Sequence, residues 1–155
     1  MLELKALHAN DMANVSRLSV SKEQLPFVGT IEEIMSSKSD GCDYHLVTSN
    51  NDVIGFLIAD TTYSQRYDFA KQDEVGVRGF FIDENHQGKG YGKAAVTLLG
   101  NYFKLTYPTH SSIVLTVNCK NPAAYNCYKA PDFKDNGDMY LGGAAGPQNI
   151  MRLKL

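Results

Sequence analysis

Apolar and polar positions alternate along this chain in two rhythms, one of strands and one of helices. LELKAL, residues 2–7, alternates loosely. HANDMANVSRLSV then sets Met12, Val15 and Leu18 three apart behind Asn10 and Asp11, either of which can cap a helix. A strand followed by a helix is predicted. TIEEIMSSKS repeats the helical spacing in a shorter form with Thr30 as its cap, and DYHLVTSNNDVIGFLIAD reads as two strands around a Ser49-Asn50-Asn51-Asp52 turn, a hairpin. EVGVRGFFID, from Glu74, is a third clear strand. From Lys93 the chain reads KAAVTLLGNYFKLTYP, with Val96, Leu99 and Phe103 on one face and Pro108 as the stop, a helix of about three to four turns. SSIVLTVNC is a β-branched run. Asn121 before Pro122 reads as a cap with proline in the first helical position, opening the helix AAYNCYKA. Gly137, Gly142, Gly143, Gly146 and Pro147 set apart two last strands, DMYLGG and NIMRLKL. Strands interleaved with helices describe a mixed α/β (α+β) protein rather than a bundle or a sandwich.

Composition adds limits to this picture. With 155 residues, 43% of them hydrophobic, the chain suits one domain over residues 1–155. It shows no internal repeat, no signal-peptide pattern and no apolar run near the roughly 18 residues of a membrane span, so a soluble, cytoplasmic protein is expected. Cys42, Cys119 and Cys127 form no CxxC pair, which predicts reduced, mostly buried thiols and no metal site. The net charge of −2 argues against a nucleic-acid partner. That mean hides an asymmetry. Residues 1–84 hold 14 Asp/Glu against 7 Lys/Arg, a net of −7, and residues 85–155 hold 3 against 8, a net of +5. No acidic residue occurs from Asn85 through Pro131, so a polyanion could lie along that segment without repulsion.

The segment opens with DENHQGKGYGKAAV, three glycines within five residues ahead of a helix. A strand, a glycine-rich turn and a helix N-terminus make a phosphate site: the first N–H groups point outward, the helix dipole favours an anion, and glycine lets a ligand approach the main chain. A Walker A loop is excluded, because Gly92-Lys93 is followed by Ala94 and the magnesium-holding hydroxyl is absent. Gly90-x-Gly92-x-x-Ala95 has dinucleotide spacing, yet no Asp or Glu follows before Asp132 to hold a ribose.

Gln87-Gly88-Lys89-Gly90-Tyr91-Gly92, read as Gln-x-x-Gly-x-Gly, resembles the acetyl-coenzyme A loop of the GNAT family of N-acetyltransferases. VNCKNPAAYNCY looks like that family's fifth strand and following helix, with Asn121, Ala124 and Tyr128 at its spacing. RLSVSKEQLPFV and GFFIDENHQGKGYGKAA are most similar to its diamine and polyamine acetyltransferase branch. The resemblance implies a central mixed, mostly antiparallel twisted sheet of about six to seven strands with helices on both faces. One departure stands out: Asp132-Phe133 occupies the place of the family's Gly-Phe pair, which predicts a reshaped helix exit.

What the resemblance implies can be assigned by chemical demand. The N–H groups of Gln87, Gly88, Lys89, Gly90, Tyr91, Gly92 and Lys93 would hold the pyrophosphate, with the two lysines adding charge. Phe81 and Ile82 would pair their backbone with the pantetheine arm. Asn121 would contact the cofactor, and Tyr128 would both contact it and protonate the departing thiolate, as a phenol protonated at neutral pH can do. The general base is open: GVRGFFI carries no carboxylate, so Glu74 is the nearest candidate and water the alternative. The expected acceptor is a primary amine, a polyamine or another small cationic amine favoured by the acidic first half. No metal is implied, a homodimer is common in the family, and the alternative is a non-catalytic module that senses acyl-coenzyme A.

Overall fold

In the computed structural model, which describes residues 1–155, seven strands form one sheet in the order β1-β2-β3-β4-β5-β7-β6. The strands are β1 (Leu2–Ala6), β2 (Cys42–Ser49), β3 (Asp52–Asp60), β4 (Glu74–Ile82), β5 (Ser112–Asn118), β6 (Lys134–Tyr140) and β7 (Gln148–Lys154). The helices are α1 (Met12–Val15), α2 (Leu25–Val28), α3 (Ile31–Ser36), α4 (Tyr63–Arg66), α5 (Tyr91–Thr106) and α6 (Pro122–Lys129). Every neighbouring pair is antiparallel except β4 and β5. This is the mixed, mostly antiparallel sheet that the family resemblance implies.

Local chemistry explains the elements that were legible. Asn50 and Asn51 take the β2–β3 turn with φ of 50° and 72°, the left-handed pair that a tight hairpin requires and asparagine tolerates. The Thr30 side chain accepts from the Glu33 N–H, and that of Asn121 accepts from the Ala124 N–H, so both predicted caps form. Helix α5 begins two residues before the expected Lys93, with Gly90 at its cap in the left-handed region. Asp132 also sits there, at φ 80°. The helix exit therefore keeps its usual shape despite the missing glycine, and Phe133 turns inward against Tyr128. Of the cysteines only Cys42 is buried; Cys119 is exposed and Cys127 half-buried, so the expectation of mostly buried thiols fails.

Alternation on the sheet divides the core. Leu57 and Ala59 face α5 and α6, joining Val96, Leu99 and Phe103, while Phe56 and Ile58 face α1 and α3, joining Val15, Ile31 and Ile34. Helices thus cover both faces. Each fully buried aliphatic or aromatic side chain here stabilises the fold by about 1.5–3 kcal/mol. On the α5 side, His45 lies between Tyr102 and Tyr107, its ring nitrogens 2.6 and 2.7 Å from their hydroxyls, and Tyr107 donates to Asp43. Burial holds this imidazole neutral, its pKa pulled down to about 4.

Candidate functional site

The site begins where β4 and β5 stop being a pair. Their ladder covers Glu74 with Ser112, Val75 with Ile113 and Gly76 with Val114, and no further. From Val77 to Ile82 the edge of β4 that faces β5 carries no strand. A bulge accompanies the separation. On the β3 side Ile58 is opposite Arg78 and Phe56 opposite Phe81, so β4 holds one residue more than its partner, and Gly79 takes φ 58° within the extra length. Such a residue bends the strand that carries it and reverses the alternation beyond it. Val75 and Val77 accordingly face α5 and α6, whereas Phe81 faces the opposite core.

Beyond β4 the chain enters the glycine loop. None of the N–H groups from Gln87 through Lys93 donates to the protein; the first to do so is that of Ala94, to the Gly90 carbonyl at 3.1 Å. Gly88 and Gly90 take φ of 79° and 82°. No acidic residue lies in the first turn of α5, no side chain caps it, and Lys89 and Lys93 are exposed and unpaired. A run of undonated N–H groups at the positive end of a 16-residue helix is an anion cradle. Its frame is fixed by side chains. Gln87 donates to the Ile82 carbonyl at 3.0 Å and to Gln24 at 2.8 Å, and the buried Asp83 accepts from the Ser19 N–H at 2.8 Å and meets His86 at 2.9 Å. The segment leading into α2 is thereby tied to the loop.

Between the parted strands lies a cavity of about 400 Å³. Val77 to Phe80 of β4 and Thr116 to Asn118 of β5 form its sides, Asn121 and Tyr128 of α6 one end, and Pro26 to Val28 of α2 a cover. Tyr63 and Tyr67 close the other end within an aromatic group that includes Phe69 and Tyr140. Tyr128 packs edge-on against Phe80, its hydroxyl makes no hydrogen bond within the protein, and burial pushes its pKa well above the ordinary phenol value. It therefore keeps its proton at any neutral pH. Asn121 caps α6 as expected and also lines the cavity.

The sequence-predicted residues thus fall into two groups. Asn121 and Tyr128 line the cavity, whereas Gln87 to Lys93 lie outside its lining, just beyond the open edge that ends at Phe81 and Ile82, whose side chains are buried. Glu74 lies apart from them. It sits at the closed end of the β4–β5 pair, 1% exposed, where Arg152 Nε donates to it at 2.8 Å, Ser112 at 2.9 Å and the Lys71 N–H at 2.9 Å. It is absent from the cavity lining, and both of its oxygens already accept, Oε1 from Lys71 and Oε2 from Ser112 and Arg152. Sequence reading passed over Arg78, which lines the cavity. Its signal was an arginine between two glycines in an otherwise apolar strand, GVRGFF.

The sheet is antiparallel but for one parallel pair, at which it parts, and the strand that parts leads into an anion cradle. The chain belongs to the acetyltransferase (GNAT) family, whose model matches residues 12–133. It is 26% identical over 145 residues to a spermine/spermidine N(1)-acetyltransferase of Bacillus subtilis (strain 168), covering 92% of this chain and 93% of that one. Its fold is similar to that of the aminoglycoside acetyltransferase AAC(6')-Ib in complex with coenzyme A, with a TM-score of 0.77 and 15% identity over 99% of this chain and 95% of that one. It is also similar to that of a spermidine N-acetyltransferase from Vibrio cholerae in complex with coenzyme A and spermine, with a TM-score of 0.68 and 18% identity over 99% and 95%.

Proposed function

We propose that the protein transfers the acetyl group of acetyl-coenzyme A directly to a primary amine held in the cavity between β4 and β5. The observation that carries this reading is a pair of open backbone surfaces on one stretch of chain, the β4 edge from Val77 to Ile82 that β5 does not pair and the undonated N–H groups of Gln87 to Lys93. The pyrophosphate sits on the loop, with Lys89 and Lys93 beside it, and the pantetheine arm adds to the edge of β4 as an extra strand would. Asn121 and Tyr128 then flank the thioester.

The amine lone pair attacks the thioester carbonyl carbon, forming the C–N bond, and the C–S bond breaks as the tetrahedral intermediate collapses. Tyr128 passes its proton to the departing sulfur and recovers one from solvent. The same exclusion of water that raises the phenol's pKa also makes a nascent thiolate a stronger base, which offsets the weaker acidity of the phenol. The surplus proton on nitrogen leaves to water, since no carboxylate lines the cavity. Glu74 takes no part in the transfer. Spermine and spermidine, which the relatives are named for, belong in the first acceptor panel beside other small amines. Three unpaired cysteines suit a cytoplasmic setting.

Coenzyme A release across a panel of amines tests the reading. Tyr128→Phe should lower kcat about 100-fold or more while leaving the KM for acetyl-coenzyme A within a factor of two or so. Unchanged turnover would remove Tyr128 from its role. Tight coenzyme A binding with no transfer to any amine would instead define a sensing module.

A further inference from the structure

The cavity has a charge imbalance that bears on its acceptor. Arg78 is the only charged side chain in the lining. Behind it Arg66 and Arg78 converge on Asp60, which is fully buried. Arg66 Nε donates to Asp60 Oδ2 at 2.8 Å, and Arg78 Nε stands 3.5 Å from the same oxygen, beyond hydrogen-bond range, buried and without any other partner. The other Asp60 oxygen already accepts from the N–H and the hydroxyl of Thr62. Arg78 Nη2 reaches only the Cys42 sulfur, at 3.5 Å. Two guanidinium groups, both charged at any working pH, therefore share one carboxylate, and one positive charge is left over on a side chain that is 32% exposed.

No carboxylate of the acidic first half lines the cavity. Asp11 pairs with Lys5, Asp43 with Tyr107, Glu74 with Arg152 and Asp83 with His86, all away from the cavity. Within the lining a polycation would meet like charge and no carboxylate. An underused guanidinium beside a largely apolar, aromatic wall is a receptor for the opposite arrangement, an oxyanion attached to an apolar body.

We propose that the acceptor is a small amino carboxylate with an apolar or aromatic side chain: Arg78 binds the carboxylate, the side chain lies along Phe27, Tyr63 and Tyr67, and the amine is left facing the thioester. This inference rests on the acetyl-transfer reading above and names its acceptor class; the reacting bonds are those already described.

The test compares pairs that differ only in the carboxylate, phenylalanine with phenethylamine and ornithine with putrescine, with spermidine as the polycation. The carboxylate-bearing member of each pair should have the higher kcat/KM, by roughly 10- to 100-fold, the range for a hydrogen bond to a charged group. Arg78→Gln should erase that advantage by raising KM for the carboxylate member, with kcat and the thermal shift produced by coenzyme A little changed. Arg78→Lys should restore part of it. Equal or better use of the decarboxylated amines or of spermidine by the unmodified protein overturns the proposal, and so does an advantage that survives Arg78→Gln. If Arg78→Gln fails to fold, the paired substrates alone decide. Should coenzyme A raise the melting temperature while no amine of any kind is acetylated, the acetyl-transfer reading falls, and the acceptor assignment with it; transfer to spermidine alone leaves that reading standing and removes only the acceptor.

Discussion

The two ends of the β4–β5 pair are made from the same strands and treat their polar groups in opposite ways. At the closed end Glu74 is surrounded by Arg152, Ser112 and the Lys71 N–H, and the strands are laddered. At the open end the ladder stops, Arg78 Nε lacks a partner, the Tyr128 hydroxyl is unbonded and the loop beyond offers N–H groups to no protein acceptor. Buried polar groups are ordinarily satisfied within a fold, so a cluster that is not marks where a ligand completes it. The contrast separates two carboxylate roles that a sequence cannot. A buried acid beside a site is a base only if it reaches the substrate, and Glu74 is tied to Arg152, Ser112 and Lys71 outside the cavity lining.

Breaking the closed end should have the largest effect on stability. Glu74→Gln leaves the Arg152 charge without its partner and should cost about 3 kcal/mol, at the lower end for a broken buried pair because Arg152 is itself a quarter exposed. Chemical denaturation would measure the loss. Activity per folded molecule should persist; intact stability with vanished turnover would make Glu74 the base and dissolve the contrast.

A nearly equal effect is expected from acid, through a third fully satisfied region. His45 has a folded pKa of about 4 against an ordinary value of 6.5, so between those pH values the unfolded chain takes a proton that the folded chain excludes. Its contribution, about 3 kcal/mol, is whole above pH 6.5 and is lost as the pH falls to 4. Unfolding free energies across that window should fall in the unmodified protein and flatten in His45→Gln. The smallest effect concerns the open end. Gly90→Ala places a Cβ where no atom lies within 4 Å, so its cost is the left-handed backbone alone, about 1 kcal/mol. A modestly lower melting temperature and a reduced stabilisation by coenzyme A should appear together.

The parts of this molecule that were legible in its sequence are those whose causes are local. Asn50-Asn51 makes a turn, Thr30 and Asn121 make caps, and Gly88 to Gly92 make a loop because of what these residues do within a few positions of themselves. The Glu74–Arg152 pair spans 78 residues of chain and has no local signature. The convergence of Arg66 and Arg78 on Asp60 was hidden for the same reason. Helices α2 and α4, four residues each, are too short to carry a period. The acidic bias of the first half was read as an attraction for cations, and four of its fourteen carboxylates, Asp11, Asp60, Glu74 and Asp83, prove to be paired internally.

The surplus residue in β4 makes the cavity a matter of arithmetic before it is one of chemistry. Removing Gly79 would restore equal numbers opposite Phe56 and Ile58, return every second side chain to its original face and let the strand run straight beside its neighbour. A chain of 154 residues with every catalytic and binding side chain intact would then have a longer sheet and no room for a thioester. For this protein, insertion and deletion at that position should be harsher than any substitution there.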